Sequence, residues 1–200
     1  MKAETNIDLY YAGQAIESED VRELMRNLER RSYRKLATFP GNLEKLRTVD
    51  IPKIALVNYL TDRLTQRQFR QEVEEAIAGG ASEIELYWVE SFLSWGKDKW
   101  REFIEEFANE GVILRVMLDI APFEDEQLVT LLGFLRDLGV TDLGISSGIN
   151  KDITTLAQWK EKQRLFPTIF RTKIVGIKSQ EDADAFLATG VRFVGTRDLS

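Results

Sequence analysis

Two hundred residues with 44% apolar content suffice for one domain with a substantial core, and a formal charge of −6 argues against an electrostatic grip on nucleic acid or anionic lipid. There is no cysteine and no histidine, which excludes disulfides, thiolate nucleophiles, thiolate or imidazole metal sites and Ser-His-Asp triads. Acid–base chemistry falls to Asp, Glu, Lys or Tyr, and no cofactor or metal is called for. The amino terminus lacks an apolar signal core and no run is long enough to span a bilayer, so a soluble, cytoplasmic protein is expected.

In chain order, Ile7–Tyr11 reads as a first strand, followed by a helix from Ser18, an N-cap residue type with acids behind it. Leu36–Phe39 is a second strand, closed by Pro40-Gly41, and Lys53–Tyr59 a third, entered through Ile51-Pro52. Thr65-Gln66-Arg67-Gln68 has capping-box spacing, and its helix runs to Gly79 with Phe69, Val73, Ala76 and Ile77 on one stripe. From here one unit recurs: a helix stops at a glycine and a short apolar strand follows. The junctions are Ala78-Gly79-Gly80-Ala81, Asn109-Glu110-Gly111-Val112, Asp137-Leu138-Gly139-Val140 and Ala188-Thr189-Gly190-Val191. The strands after them are Glu83–Leu86, Ile113–Val116, Asp142–Ile145 and Arg192–Gly195. Glycine just past a last helical turn takes positive φ without steric cost. Further helices are marked by Trp100, Phe103, Ile104 and Phe107, by Leu128–Leu138, and by Leu156–Gln163 ahead of a strand within Ile169–Ile177. Ser179-Gln180-Glu181-Asp182 opens the last.

This alternation predicts an α/β fold, a single (β/α)8 TIM barrel over residues 1–200, with eight strands and a helix in each of the seven connections. The chain stops at Ser200, so an eighth outer helix is not expected. The flank so uncovered would be apolar, a place for a partner or a second copy to dock.

Strand parity separates two faces. Ile84, Leu86 and Trp88 oppose Glu83, Glu85 and Tyr87, and Leu114, Val116 and Leu118 oppose Arg115, Met117 and Asp119. With the apolar faces under the helices, Glu83, Glu85, Arg115 and Asp119 converge inside the barrel. Buried acids are costly unless paired or functional, so these residues are either an Arg–carboxylate brace or a reaction site.

With the strands placed, the order of residues resembles the deoxyribose-phosphate aldolase family, β/α-barrel enzymes that use a lysine Schiff base. Ile7-Asp8 followed by Glu19-Asp20-Val21 is similar to the family's opening strand and helix. Glu74–Glu85 resembles its glycine-terminated helix and Asp-Glu-Ile-Asp strand, and Leu114–Asp119 its Leu-Lys-Val-Ile-Ile-Glu strand. Leu138–Asp142 leading into Ser146-Ser147-Gly148 is similar to the approach to its active-site Thr-Ser-Thr-Gly. Gly176-Ile177-Lys178-Ser179 with Glu181-Asp182-Ala183 resembles Gly-Ile-Arg-Thr with Glu-Asp-Ala, and Val194-Gly195-Thr196 the closing Ile-Gly-Thr.

The departures fall on the chemistry. The position of the family's imine lysine is Gly144, and the strand-four acid is Glu85 in place of Asp. Aligned through Gly176, the second family lysine falls on Thr172; a one-residue slip puts Lys173 there and reverses the strand's faces. The family's phosphate-binding Gly-Gly is reduced to Val175-Gly176, and its Ser-Ser becomes Arg197-Asp198. Asp8 is kept, with Gly13 in place of a later lysine.

The resemblance therefore implies catalytic candidates Glu85, Asp119, Arg115 and Lys173, and binding candidates Asp8, Ser146, Ser147, Gly176, Gly195, Thr196 and Arg197. Lys173 is either a relocated amine or a rim lysine at a strand end. Arg197 is either a phosphate fork or an exposed terminal residue, and Ser146-Ser147-Gly148 either ligand donors or a polar turn. Trp95 and Trp100 read as helix packing rather than a ligand platform. The expected partner is a small phosphorylated sugar or aldehyde, bound with degraded or altered catalytic machinery. The alternatives are a carbon–carbon lyase using Lys173, a carboxylate-driven isomerase, and a non-catalytic scaffold whose barrel mouth is filled by Tyr10, Tyr59 and Tyr87.

Overall fold

The computed structural model describes residues 5–12, 16–59, 65–88, 95–145 and 154–197. Eight parallel strands close into a barrel in chain order. They are β1 (Ile7–Tyr10), β2 (Leu36–Thr38), β3 (Lys53–Val57), β4 (Ala81–Tyr87), β5 (Ile113–Leu118), β6 (Asp142–Ile145), β7 (Arg171–Ile177) and β8 (Phe193–Thr196). Closure sets Ile7 opposite Val194, Asp8 opposite Gly195 and Leu9 opposite Thr196. Among the described residues six α-helices surround it: α1 (Ser18–Arg30), α2 (Gln66–Ala78), α3 (Lys97–Asn109), α4 (Asp125–Asp137), α5 (Leu156–Lys162) and α6 (Gln180–Leu187).

The sequence predicts a helix in the β2–β3 connection too, and the structure has a 3-10 turn at Pro40–Asn42 followed by further turns. Proline can begin a helix, but Gly41 and Asn42 extend one poorly. The Asn42 side chain is also engaged, accepting from the Ile16 amide at 3.2 Å and donating to the Thr38 hydroxyl at 3.3 Å. The segment still covers the sheet, because Leu43, Leu46 and Val49 are buried. A second difference is the start of α1, where Glu17 rather than Ser18 is the cap and its amide donates to Asp20 at 2.7 Å. The Thr65–Gln68 capping box forms as its spacing predicts. At the first glycine junction the left-handed residue is Gly80 (φ 85°), while Gly79 packs so close to Leu43 that a Cβ would meet it at 2.9 Å.

The outer core lies where strand parity puts it. Ile84, Leu86, Val116, Leu118, Leu143, Ile174 and Val194 pack against Phe69 and Val73 of α2, Trp100 and Phe103 of α3, and Leu128 and Leu135 of α4. Trp95 stacks on Trp100 at 5.0 Å inside this layer. Leu9 belongs to a separate cluster with Ile16, Leu24, Leu36, Leu46 and Val49, so the outward faces of β1 and β8 are both buried. Among the described residues the large apolar side chains most exposed, Met25, Ile113, Val129 and Ile169, are spread over α1, β5, α4 and the turn before β7 rather than gathered beside β8. No helix among the described residues is long and apolar enough to cross a membrane.

Candidate functional site

The inward face of the barrel carries two layers of opposite character. Toward the amino ends of the strands, four carboxylates, Asp8, Glu83, Glu85 and Asp142, meet five cations, Arg34, Lys35, Arg115, Arg171 and Lys173. Arg115 is the hub. Its Nε donates to Glu83 at 2.7 Å, its Nη2 lies 3.4 Å from Asp142, and its Nη1 reaches the carbonyls of Arg171 at 3.4 Å and Leu143 at 3.5 Å. Arg34 forks Asp8 at 2.8 and 2.5 Å, Lys35 meets Glu83 at 2.9 Å, and Arg171 pairs with Asp142. Phe193 floors the layer, with the Arg34 guanidinium 3.8 Å above its ring.

Lys173 is not a rim lysine. It lies opposite Gly144 in the β6–β7 register, is fully buried, and places its ammonium 2.6 Å from both Asp8 and Glu85. The reason is parity: counting from Arg171, Lys173 and Val175 share the inward face and Thr172 the outward one. The other oxygen of Glu85 accepts from the Tyr10 phenol at 2.5 Å, so that carboxylate is closed on both sides. Burial would raise the Glu83 carboxyl, but Arg115, Lys173, Lys35 and Arg34 outweigh it and hold Glu83 well below the usual carboxylate range. Burial likewise opposes the Arg115 charge, and Glu83, Glu85 and Asp142 more than restore it.

Above the ions lies an apolar layer of Tyr10, Ile54, Leu56, Tyr87, Met117 and Val175, with Phe39 and Tyr59 resting on it. Two glycines make room for it. A Cβ on Gly144 would collide with the Met117 thioether, and one on Gly195 with the Tyr10 ring. Gly195→Ala is therefore expected to lower stability by about 1–3 kcal/mol in urea denaturation, by pushing Tyr10 off Glu85. A variant of unchanged stability would mean that the Tyr10 ring is free to yield.

Just past β3, Asn58 turns its backbone left-handed (φ 58°), a conformation asparagine tolerates better than most residues. The Asn58 amide donates to Glu72 and its Nδ2 to the Tyr87 carbonyl, each at 3.0 Å. This anchors Tyr59 edge-on against Tyr87, ring centroids 4.6 Å apart, and 5.5 Å from Phe39.

The structure thus brings Asp8, Glu85, Arg115 and Lys173 into one cluster. Asp119 stands past the end of β5, where its carboxylate accepts from the Ala121 amide at 3.3 Å. Gly176 has φ 94° at an irregularity in the β7–β8 register, and the Thr196 hydroxyl donates to the Ile177 carbonyl at 2.7 Å. Arg197 is exposed at the end of β8, 3.4 Å from the Tyr59 hydroxyl. It also borders a cavity of about 230 Å³ between β1 and α1 that includes Tyr11, Asp20 and Glu23. Ser146 and Ser147 lie outside the described residues. Asp142, Arg34, Lys35 and Arg171 belong to the cluster but not to the sequence-based set. Asp142 was accessible through its parity with Gly144, whereas Arg34 and Lys35 precede their strand and carry no such signal. Among the described residues no group of carboxylates is arranged to hold a metal ion.

Chemically, every carboxylate in this cluster faces a cation, and Lys173, the lysine opposite Gly144, faces two carboxylates. An imine nucleophile must be a free amine open to a carbonyl carbon, whereas the Lys173 Nζ is fully buried and engaged by both carboxylates.

The sequence matches no protein-family model and no curated protein. Solved structures do match the fold. One described as QR15, an aldolase, superposes with a TM-score of 0.82 at 17% identity, covering 96% of this chain and 90% of that one. The tetrameric deoxyribose phosphate aldolase of Aeropyrum pernix gives 0.79 at 18% identity, covering 96% and 85%. The putative copper homeostasis protein CutC of Streptococcus agalactiae gives 0.68 at 12% identity, covering 98% and 100%. At these identities the likeness is one of fold, a closed parallel β/α barrel.

Proposed function

We propose that this chain is an aldolase-type barrel that has left imine chemistry and binds a small phosphorylated sugar or aldehyde without cleaving it. The carrying observation is the inward face of β6 and β7. Gly144 offers no amine, its side-chain space holds the Met117 thioether, and Lys173 beside it is clamped between Asp8 and Glu85. Support for an anionic ligand comes from the carboxyl ends of β7 and β8, the usual phosphate position in such barrels. There Gly176 opens the backbone and Arg197 presents a guanidinium that can fork two phosphate oxygens.

A second reading has one observation in its favour. Lys173 has a carboxylate and, through it, a phenol at hand, so Glu85 taking the ammonium proton would leave an amine able to form an imine. Borohydride trapping with deoxyribose 5-phosphate, read by intact mass and peptide mapping, separates the two. Binding without an adduct, beside a control aldolase that traps well, is the expected result. A saturable adduct on Lys173 would instead make the protein a lyase with a migrated Schiff base.

A further inference from the structure

One buried polar group serves no purpose in the cluster described above. The Tyr87 hydroxyl is fully enclosed at the top of the barrel and has no hydrogen-bond partner among the described residues. Tyr10, its counterpart on β1, spends its phenol on Glu85. An unsatisfied buried hydroxyl is destabilising, and replacing it by hydrogen would cost the fold nothing. Burial and the nearby Glu85 charge keep the phenol protonated, hence a donor, at neutral pH.

What covers Tyr87 is lightly held on its polar side. The half-buried Tyr59 ring packs edge-on over it, and the Tyr59 hydroxyl meets Arg197 at 3.4 Å, a long hydrogen bond. The backbone under Tyr59 is fixed, since Asn58 is tied to Glu72 and to the Tyr87 carbonyl, so the cover can turn about its side-chain bonds without moving the strand. Three donors therefore converge at the mouth, two phenols and a guanidinium, with the exposed Arg197 foremost.

We infer that Tyr87 is a ligand-positioning residue: its phenol donates to an oxygen of a small anionic ligand that Arg197 draws in and that displaces the Tyr59 ring. The inference rests on the phosphorylated-ligand reading above and adds to it the donor that fixes the ligand's depth in the barrel. A phosphate oxygen or a carbonyl oxygen fits this role, because both accept and neither needs a proton from the site.

The test is calorimetric titration of the full chain with deoxyribose 5-phosphate and with inorganic phosphate, for the parent, Tyr87→Phe, Tyr59→Ala and Arg197→Ala. Expected is parental binding, a loss of about tenfold or more in Tyr87→Phe with a Tm no lower than the parent's, and tighter binding in Tyr59→Ala. Unchanged affinity in Tyr87→Phe, with the parent and Arg197→Ala clearly different, overturns the Tyr87 assignment and leaves the ligand reading standing. No parental binding of either compound overturns both. A Tyr87→Phe protein that loses affinity and also melts well below the parent marks the hydroxyl as structural and again overturns the assignment.

Discussion

Replacing Arg115 by Met is expected to cost about 3–5 kcal/mol of stability in urea denaturation at neutral pH, because it removes one partner of a buried ionic cluster and leaves the others uncompensated. Arg115 is 1% exposed and, from β5, serves the carboxylates of Glu83 on β4 and Asp142 on β6 and the backbone carbonyls of Leu143 on β6 and Arg171 on β7. Glu83 keeps Lys35 and Arg34, and Asp142 keeps Arg171, so the loss should sit nearer the lower end of that range. Adding Glu83→Gln to the variant should recover part of the deficit, since it withdraws the charge that Arg115 had balanced. The pH dependence has a definite sign. Glu83 is held well below the usual carboxylate range, so its stabilisation is present above the unfolded-state value of about 4.3 and is lost as pH falls through the folded value. Without Arg115 that depression is smaller, so the gap between parent and variant should persist through the unfolded-state value and close only below it, as the pH falls between the two folded-state values. A variant as stable as the parent at neutral pH would show that the cluster braces nothing.

Much of this site follows from period-2 alternation. Once Glu83–Glu85 and Arg115–Met117 are assigned to strands, an apolar outer face forces the charged partners inward, and the structure keeps that parity on β4 and β5. The same logic applied to β7 would have sent Lys173 inward, but the strand's start was uncertain by a residue and the alternation there is weak, since Thr172, Ile174 and Val175 are all compatible with either face. Cross-barrel contacts are a different matter. Tyr10 with Glu85, and Lys173 with Asp8, join residues that no local pattern relates, and only closure of the barrel brings them within bonding distance. The β2–β3 connection departs from the expected helix for a local reason: Leu43, Leu46 and Val49 are buried, but Pro40, Gly41 and Asn42 ahead of them do not sustain a helix.

Lys173→Met is expected to be as damaging as the loss of Arg115, and for a reason tied more closely to function. Lys173 stands on β7 yet bonds β1 and β4, strands that are not its neighbours in the sheet, so it ties the wall of the barrel across its interior. Asp8 would keep Arg34, but Glu85 would be left with the Tyr10 phenol and with Arg115 at 3.9 Å. A loss of about 3–5 kcal/mol in urea denaturation follows from that uncompensated carboxylate. Glu85→Gln on the same background should restore part of it, since glutamine still accepts from Tyr10 and carries no charge. The size of that coupling measures how far Lys173 is committed to structure. A strong coupling describes an ammonium whose proton the fold itself retains, and such an amine is a poor nucleophile. A Lys173→Met protein that folds as well as the parent but loses a borohydride-trapped adduct would reverse the conclusion, because the lysine would then be held in place for chemistry rather than for the barrel.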